Sequence, residues 1–213
     1  MKPCMIKGNM RQCIMHLIRH GQTAWNAEKR LQGHIDIPLN ETGLAEAELI
    51  AKEFENRSLS AIYSSPLQRA YGTAQIINRP HQHSIQLNEA LKEATYGSIE
   101  GLKVDEYHDK CAAQLASFKS MPYRERLHFK LVEDAESYFE VYQRVRPVLD
   151  QLIQKHLGEE IIVVSHGGLI RAVMAVLSEI DVRDIQIQNT GCLTLVGDGS
   201  VLKIQDYKRI AIE

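Results

Sequence analysis

Residues 161–168 read Ile161-Ile162-Val163-Val164-Ser165-His166-Gly167-Gly168. An unbroken β-branched run of this length suits a strand buried on both faces, as in a parallel sheet. Gly167-Gly168 is expected to turn the chain, and Leu169 to Leu177 reads as a helix. The same order of strand, histidine and glycine occurs near the beginning, in Ile14-Met15-His16-Leu17-Ile18-Arg19-His20-Gly21.

Working outward from these two units, a polar loop is expected from His20 to about Glu41. Thr42 can cap a following helix, whose stripe is Leu44, Ala47, Ala51 and Phe54. Ala61 to Ser64 reads as a second short strand. Leu67, Ala70, Tyr71, Ala74 and Ile77 recur at helical spacing. The stretch from about Ala135 to His156 carries the stripe Tyr138, Val141, Val145, Val148 and Leu152, a long helix. Two final strands are expected at Cys192–Val196 and Val201–Ile204, joined by a Gly-Asp-Gly-Ser turn. The segment 103–134 has no strong periodicity and reads as a partly helical insertion or cap. Residues 1–13 read as a short extension, or as an early start ahead of Met10. Strands alternating with helices predict an α/β fold, a three-layer α/β/α sandwich around a mostly parallel sheet. In such sheets ligands bind at the carboxyl ends of strands, where His20 and His166 both fall.

A chain of 213 residues is read as a single domain, 1–213. Its net charge of −2 lacks the basic footprint of nucleic-acid binding, so an anionic ligand must be drawn by a local cluster. No apolar run approaches the ~18–20 residues of a membrane span, and the N-terminus lacks a signal-peptide core. Four scattered cysteines form no CxxC pair, which points to a reducing cytoplasm and away from disulfides or zinc. No Walker A loop, HExxH or carboxylate cluster occurs, so neither a metal nor a cofactor is implied. Nothing in the sequence specifies an oligomeric state.

Four short segments carry chemistry. Arg19-His20-Gly21 combines a planar fork of donors with an imidazole that is a nucleophile when neutral. Ser165-His166-Gly167-Gly168 places a second histidine at a helix N-terminus, whose free N–H groups suit an anion. In Ser64-Ser65-Pro66-Leu67-Gln68-Arg69-Ala70, Arg69 falls in a helix's first turn. That placement is unfavourable unless an anion offsets it. Leu91-Lys92-Glu93 brings a carboxyl group that can protonate a leaving alkoxide. Each segment alone has a plain alternative, a solvated surface side chain or a packed core residue.

Taken together and in this order, the four segments resemble the histidine phosphatase superfamily, the phosphoglycerate mutase-like family. The resemblance runs from about Ile14 to Val196. It is closest at Arg19-His20-Gly21-Gln22-Thr23-Ala24-Trp25-Asn26, Leu31-Gln32-Gly33 and Pro38-Leu39-Asn40-Glu41-Thr42-Gly43. It implies a phosphoglycerate mutase-like fold. It implies His20 as the nucleophile that becomes phosphohistidine, with Arg19, Arg69 and His166 around the phosphoryl oxygens. Glu93 matches the proton donor, Asn26 and the Gly167 backbone match further phosphate contacts, and Gln32-Gly33 lies where the family meets substrate. Trp25 reads as packing.

The implied activity is a metal-independent phosphomonoesterase acting on a small phosphorylated metabolite. The alternative is a 2,3-bisphosphoglycerate-dependent phosphoglycerate mutase, and a third reading is a binding protein that keeps the fold without turnover. Against the mutase, only 42 residues separate Glu93 from Glu136 and no Arg-Arg pair occurs between them. Glu136-Ser137 resembles the branch that includes α-ribazole phosphatase and broad-specificity phosphatases, although Ala135 stands where that branch has Gly. Lys119, Arg124, Arg126 and Lys130 are candidates for reading a second acidic group on the substrate, or form an ordinary solvated face.

Overall fold

β1 (Cys13–Arg19) and β4 (Glu160–Ser165) lie side by side and parallel, with Ile18 opposite Val164 and Arg19 opposite Ser165. They form the centre of the sheet in the computed structural model, which describes residues 11–212. β2 (Leu59–Ser64) pairs parallel to β4, and the two-residue β3 (Gln86–Leu87) pairs parallel to β2. On the other side β5 (Ile185–Gly197) runs antiparallel to β1, and β6 (Leu202–Ile212) antiparallel to β5. The strand order is β3-β2-β4-β1-β5-β6, so the expected mostly parallel sheet is found.

Alternation along the central strands builds two cores. Met15, Leu17, Ala61, Tyr63, Ile161 and Val163 face one way, against α7 (Tyr138–Lys155) and α8 (Gly167–Ser178). Ile18, Ile62, Ile162 and Val164 face the other, against α2 (Glu41–Phe54) and α3 (Gln68–Asn78). Strands covered on both faces have no solvated side, which is why their sequences run apolar without a break. One polar residue interrupts β1: His16 is buried, with Nε2 2.7 Å from Glu160 and Nδ1 3.2 Å from Thr194 Oγ1. The shorter helices are α1 (Ala24–Ala27), α4 (Val104–Lys110), α5 (Ala112–Ser120) and α6 (Tyr123–Arg126). The last three lie within the segment read as an insertion.

Several boundaries differ from the sequence reading. Asn40, not Thr42, caps α2, accepting from Gly43 N–H at 2.8 Å; Thr42 already lies in the first turn. Gly167-Gly168 do not form a turn but open α8, because His166 is the extended residue before it. The long helix starts at Tyr138 after a Ser137–Glu140 capping box. β5 and β6 are far longer than expected. Ile185 and Ile187 are buried and alternate with exposed Gln186 and Gln188, a strand signal the sequence reading passed over, and the β5–β6 register slips between Ile187 and Cys192. Cys13 already belongs to β1, and residues 1–10 of the expected extension lie outside the described residues.

Leu149, fully buried where α7 meets the sheet, tests this layering. Leu149→Ala removes a packed isobutyl group and should cost about 2–5 kcal/mol of unfolding free energy. Urea denaturation of the two proteins measures it. A loss well under 1 kcal/mol would contradict the packing described.

Candidate active site

The register of β1 and β4 brings their carboxyl ends out together, with His20 N–H bonded to Ser165 O at 3.0 Å. The His20 and His166 rings stand 5.2 Å apart between centroids, one edge toward the other face. Both are almost completely buried, at 3% and 0% exposure. The Nδ1 of His20 lies 2.6 Å from the Gly21 carbonyl, which only accepts. Nδ1 therefore carries the proton, and Nε2 keeps a free lone pair. Burial pushes the His20 pKa well below its ordinary 6.5, and the charges of Arg69 and Arg19 add to that. His166 is lowered in the same way, by burial first and then by Arg69, His20 and Arg19. Both rings are neutral at pH 7, so the nucleophile suggested by the sequence is available without deprotonation.

Two guanidinium groups flank the imidazoles. Arg69 is fully buried; its Nη1 donates to Ile35 O at 2.9 Å and its Nη2 to Gly33 O at 2.7 Å. Arg19 donates through Nη1 to Ile187 O at 2.6 Å. Backbone carbonyls orient both groups without cancelling their charge. Burial lowers the pKa of each arginine, as it must when a cation lacks a full counter-ion. The Nε of Arg19, the Nε of Arg69 and Nδ1 of His166 are buried without any partner. Buried polar atoms are rarely left so. Arg19 and Arg69 line a cavity of about 190 Å³ that His20, Asn26, Gln32, Gly33, Glu93 and Gly167 also line, and His166 stands against the His20 ring. The chemistry the cavity fits is that of a compact anion with several oxygen acceptors.

Each remaining residue proposed from the sequence is found at this cavity. Asn26 closes the α1 capping box with Thr23 through its amide oxygen. Gly33, at φ +47°, supplies the carbonyl that holds Arg69, and a side chain there would strike the Glu100 carboxylate. Gly167 lets the Arg19 guanidinium pass: a Cβ would sit 3.3 Å from Nε. The Glu93 carboxylate reaches the N-terminus of α8. Its Oε1 accepts from the N–H groups of Ala94 and Leu169, and its Oε2 from Gly168, at 2.9, 3.0 and 3.0 Å. A Cβ on Gly168 would lie 2.5 Å from Glu93 Oε1, so glycine is required for that approach. Glu93 is thus seated as an acceptor, and Oε2, with one bond, retains a lone pair for a proton.

The mismatch of Arg69 with its helix start is relieved in a way the sequence did not disclose. Asp36, from the loop before α2, caps α3 by accepting from Gln68 N–H at 2.8 Å. Other residues were missed as well. Arg144 binds Glu136 through Nε and Nη2 at 2.8 and 2.9 Å and donates to the carbonyls of Ala90, Lys92 and Glu93. Glu136 in turn accepts from Thr95 N–H. This clamp fixes the backbone that carries Glu93. Tyr96 and Arg171 line the cavity too. Arg171 lies one helical turn beyond Gly167, a spacing that marks it as a neighbour; Tyr96 and Arg144 are placed only by tertiary contact.

The basic residues of the insertion are elsewhere. Arg126 pairs with Asp181, Lys130 with Glu140 and Arg124 with Glu179, and neither these three nor Lys119 lines the cavity. Their reading as a reader of a second acidic group is not supported. Among the described residues no group of three or more His, Cys, Asp or Glu is arranged to hold a metal ion. No helix there is long and apolar enough to cross a membrane.

The profile of the histidine phosphatase superfamily, branch 1, matches residues 15–209. Among curated proteins, phosphoglycerate mutase-like protein 4 of Arabidopsis thaliana is 35% identical over 158 residues, 73% of this chain and 67% of that protein. A metal-independent phosphoserine phosphatase of the same plant is 38% identical over 161 residues, 74% of this chain and 65% of its own length. This chain therefore spans about two thirds of each. Among solved structures, a mycobacterial glucosyl-3-phosphoglycerate phosphatase complexed with VO3 aligns with a TM-score of 0.78 at 27% identity. That alignment covers 92% of this chain and 97% of the other.

Neutral, buried histidines have a pH signature. The unfolded chain takes up protons near pH 6.5 that His20, His166 and His16 resist in the fold, so stability should fall as pH drops below that value. Ring ¹⁵N NMR should show His20 as the Nδ1–H tautomer down through pH 6.5. A His20 ring protonated at that pH would contradict the geometry.

Proposed function

This chain belongs to the histidine phosphatase superfamily, and from that premise we propose that it is a metal-independent phosphomonoesterase. It hydrolyses a small phosphorylated metabolite through a phosphohistidine on His20. The observation that carries the reading is the set of unpartnered buried polar atoms, Arg19 Nε, Arg69 Nε and His166 Nδ1, beside an imidazole whose Nε2 is free.

In the proposed reaction, His20 Nε2 attacks phosphorus while the bond from phosphorus to the alcohol oxygen breaks. Arg19 and Arg69 neutralise the non-bridging oxygens, and His166 and the Gly167 N–H donate to them. Glu93, protonated before the step, gives its proton to the departing alkoxide. The resulting carboxylate then takes a proton from water as that water attacks the phosphohistidine. The P–N bond breaks, and inorganic phosphate leaves with His20 neutral again. Asn26 and Gln32 contact the bound ester at the cavity wall. Fixed donors need no reorganisation as charge shifts, and each such donor is worth roughly 3–4 kcal/mol of barrier in comparable sites.

The phosphatase reading is favoured over the mutase because Arg124 and Arg126, the candidates for gripping a phosphoglycerate, are paired away from the cavity. A cytoplasmic setting is part of the reading, supported by three free buried thiols, Cys13, Cys111 and Cys192.

Phosphate release should persist in EDTA and vanish in His20→Ala, while Arg69→Ala should lower kcat by about 10²–10³-fold. Brief acid-free quenching with ³²P-labelled substrate should trap acid-labile label on wild type alone. Glu93→Gln should slow esters of aliphatic alcohols far more than p-nitrophenyl phosphate, whose leaving group needs no proton. Full activity in His20→Ala would remove the nucleophile, and phosphoglycerate interconversion without release would favour the mutase.

A further inference from the structure

A second cavity, of about 240 Å³, opens directly beside the phosphate site. The two share Leu31, Tyr96 and Arg171, so the second cavity adjoins the first. The segment 103–134 builds most of the outer wall, with Tyr107, Leu115, Phe118, Phe129 and Leu131, and Tyr138 of α7 closes it. Phe118 and Phe129 pack against each other at a tilt of 43°, with centroids 5.2 Å apart.

Among the described residues, the charged ones in this wall are Glu136 and Arg171. Glu136 has both oxygens engaged by Arg144 and Thr95, as described. Arg171 donates through Nε to Ile185 O at 2.9 Å and lies 3.4 Å from Tyr138 OH, at the junction with the phosphate site. Past that junction the cavity offers aromatic and aliphatic surface and no unengaged charge. Its volume exceeds the ~150 Å³ apolar cavity that accommodates benzene in another protein.

We propose that this cavity holds the leaving group of the substrate and that this group is aromatic or compactly apolar. The substrate class is then a phosphomonoester of an uncharged alcohol carrying a ring next to its phosphorylated oxygen. The assignment rests on the phosphatase reading given above and adds the class of ester to it. Arg171 at the junction is held by Ile185 O, and the surface beyond it carries no cation among the described residues, so a carboxylate seated there would lose its water without a counter-ion.

Benzyl phosphate, ethyl phosphate, phosphoserine and 3-phosphoglycerate offer leaving alcohols without the activation of a phenol. With wild-type protein, kcat/KM for benzyl phosphate should exceed that for ethyl phosphate by about tenfold or more. It should also exceed both carboxylated esters. Leu115 is half-buried on α5, away from the reacting groups. Leu115→Trp fills the cavity and should bring benzyl phosphate down to the level of ethyl phosphate, whose own turnover stays within about twofold. Ethyl phosphate turnover thereby reports that the variant folds. Leu115→Asp, which makes the same wall acidic, is the second variant and should likewise depress benzyl phosphate alone. Equal rates for benzyl and ethyl phosphate, or a preference for phosphoserine or 3-phosphoglycerate, would overturn the proposal while leaving the phosphatase standing. A benzyl preference untouched by both variants would also overturn it. Absence of His20-dependent release from all four esters would instead overturn the phosphatase reading, and this proposal with it.

Discussion

The parallel, in-register pairing of β1 with β4 is the constraint from which the site follows. Because Arg19 stands opposite Ser165, the next residue of each strand is a histidine, and the two rings meet. A slip of one residue would turn His20 and Ile18 to the opposite faces and expose an apolar set to the wrong layer. The buried alternation that stabilises the two cores therefore also fixes the separation of the two imidazoles. The β5 strand contributes on the other flank, where Asn189 and Thr190 bond the His20 carbonyl and Ile187 holds Arg19.

Electrostatics then follow from how the cations are held. Arg19 and Arg69 are bound by neutral carbonyls, so their charge is oriented but not cancelled. That uncancelled charge, together with burial, keeps both histidines neutral. The result is a site that stays nucleophilic and still attracts an anion, in a protein whose net charge is slightly negative. A carboxylate partner for either arginine would have made the fold more comfortable and the cavity less receptive.

Glu93 connects the site with the rest of the chain. Its side chain rests on the first turn of α8, and its backbone is gripped by Arg144 and by His34, whose Nε2 lies 2.9 Å from Glu93 O. The adjacent residues Thr95 and Tyr96 bond Glu100, which also binds the loop after Gly33. One carboxylate thus ties the loop that carries Glu93 to the loop that positions Arg69. The wall of the neighbouring apolar cavity begins at the same Tyr96, so Glu93 and that cavity share one short segment.

The amino-acid sequence by itself determined the layered α/β class and the central strands, and its resemblance to the histidine phosphatase superfamily singled out His20, Arg19, Arg69, His166 and Glu93 as candidates. These were legible because unbroken β-branched runs have one stable environment, a strand covered on both faces. Histidine followed by glycine at such a strand's end also has few structural reasons to occur twice. Tertiary structure decided the extent of β5 and β6, which stay paired across the register slip where Asn189, Thr190 and Gly191 interrupt the alternation of β5. It decided the Asp36 cap on α3 and the Arg144–Glu136 clamp. It also turned the basic residues of the insertion toward Asp181, Glu140 and Glu179, and its aromatic residues toward the site. These depend on contacts between residues far apart in the chain. Local periodicity carries no record of which side chain a distant loop brings near, and only the packed fold supplies it.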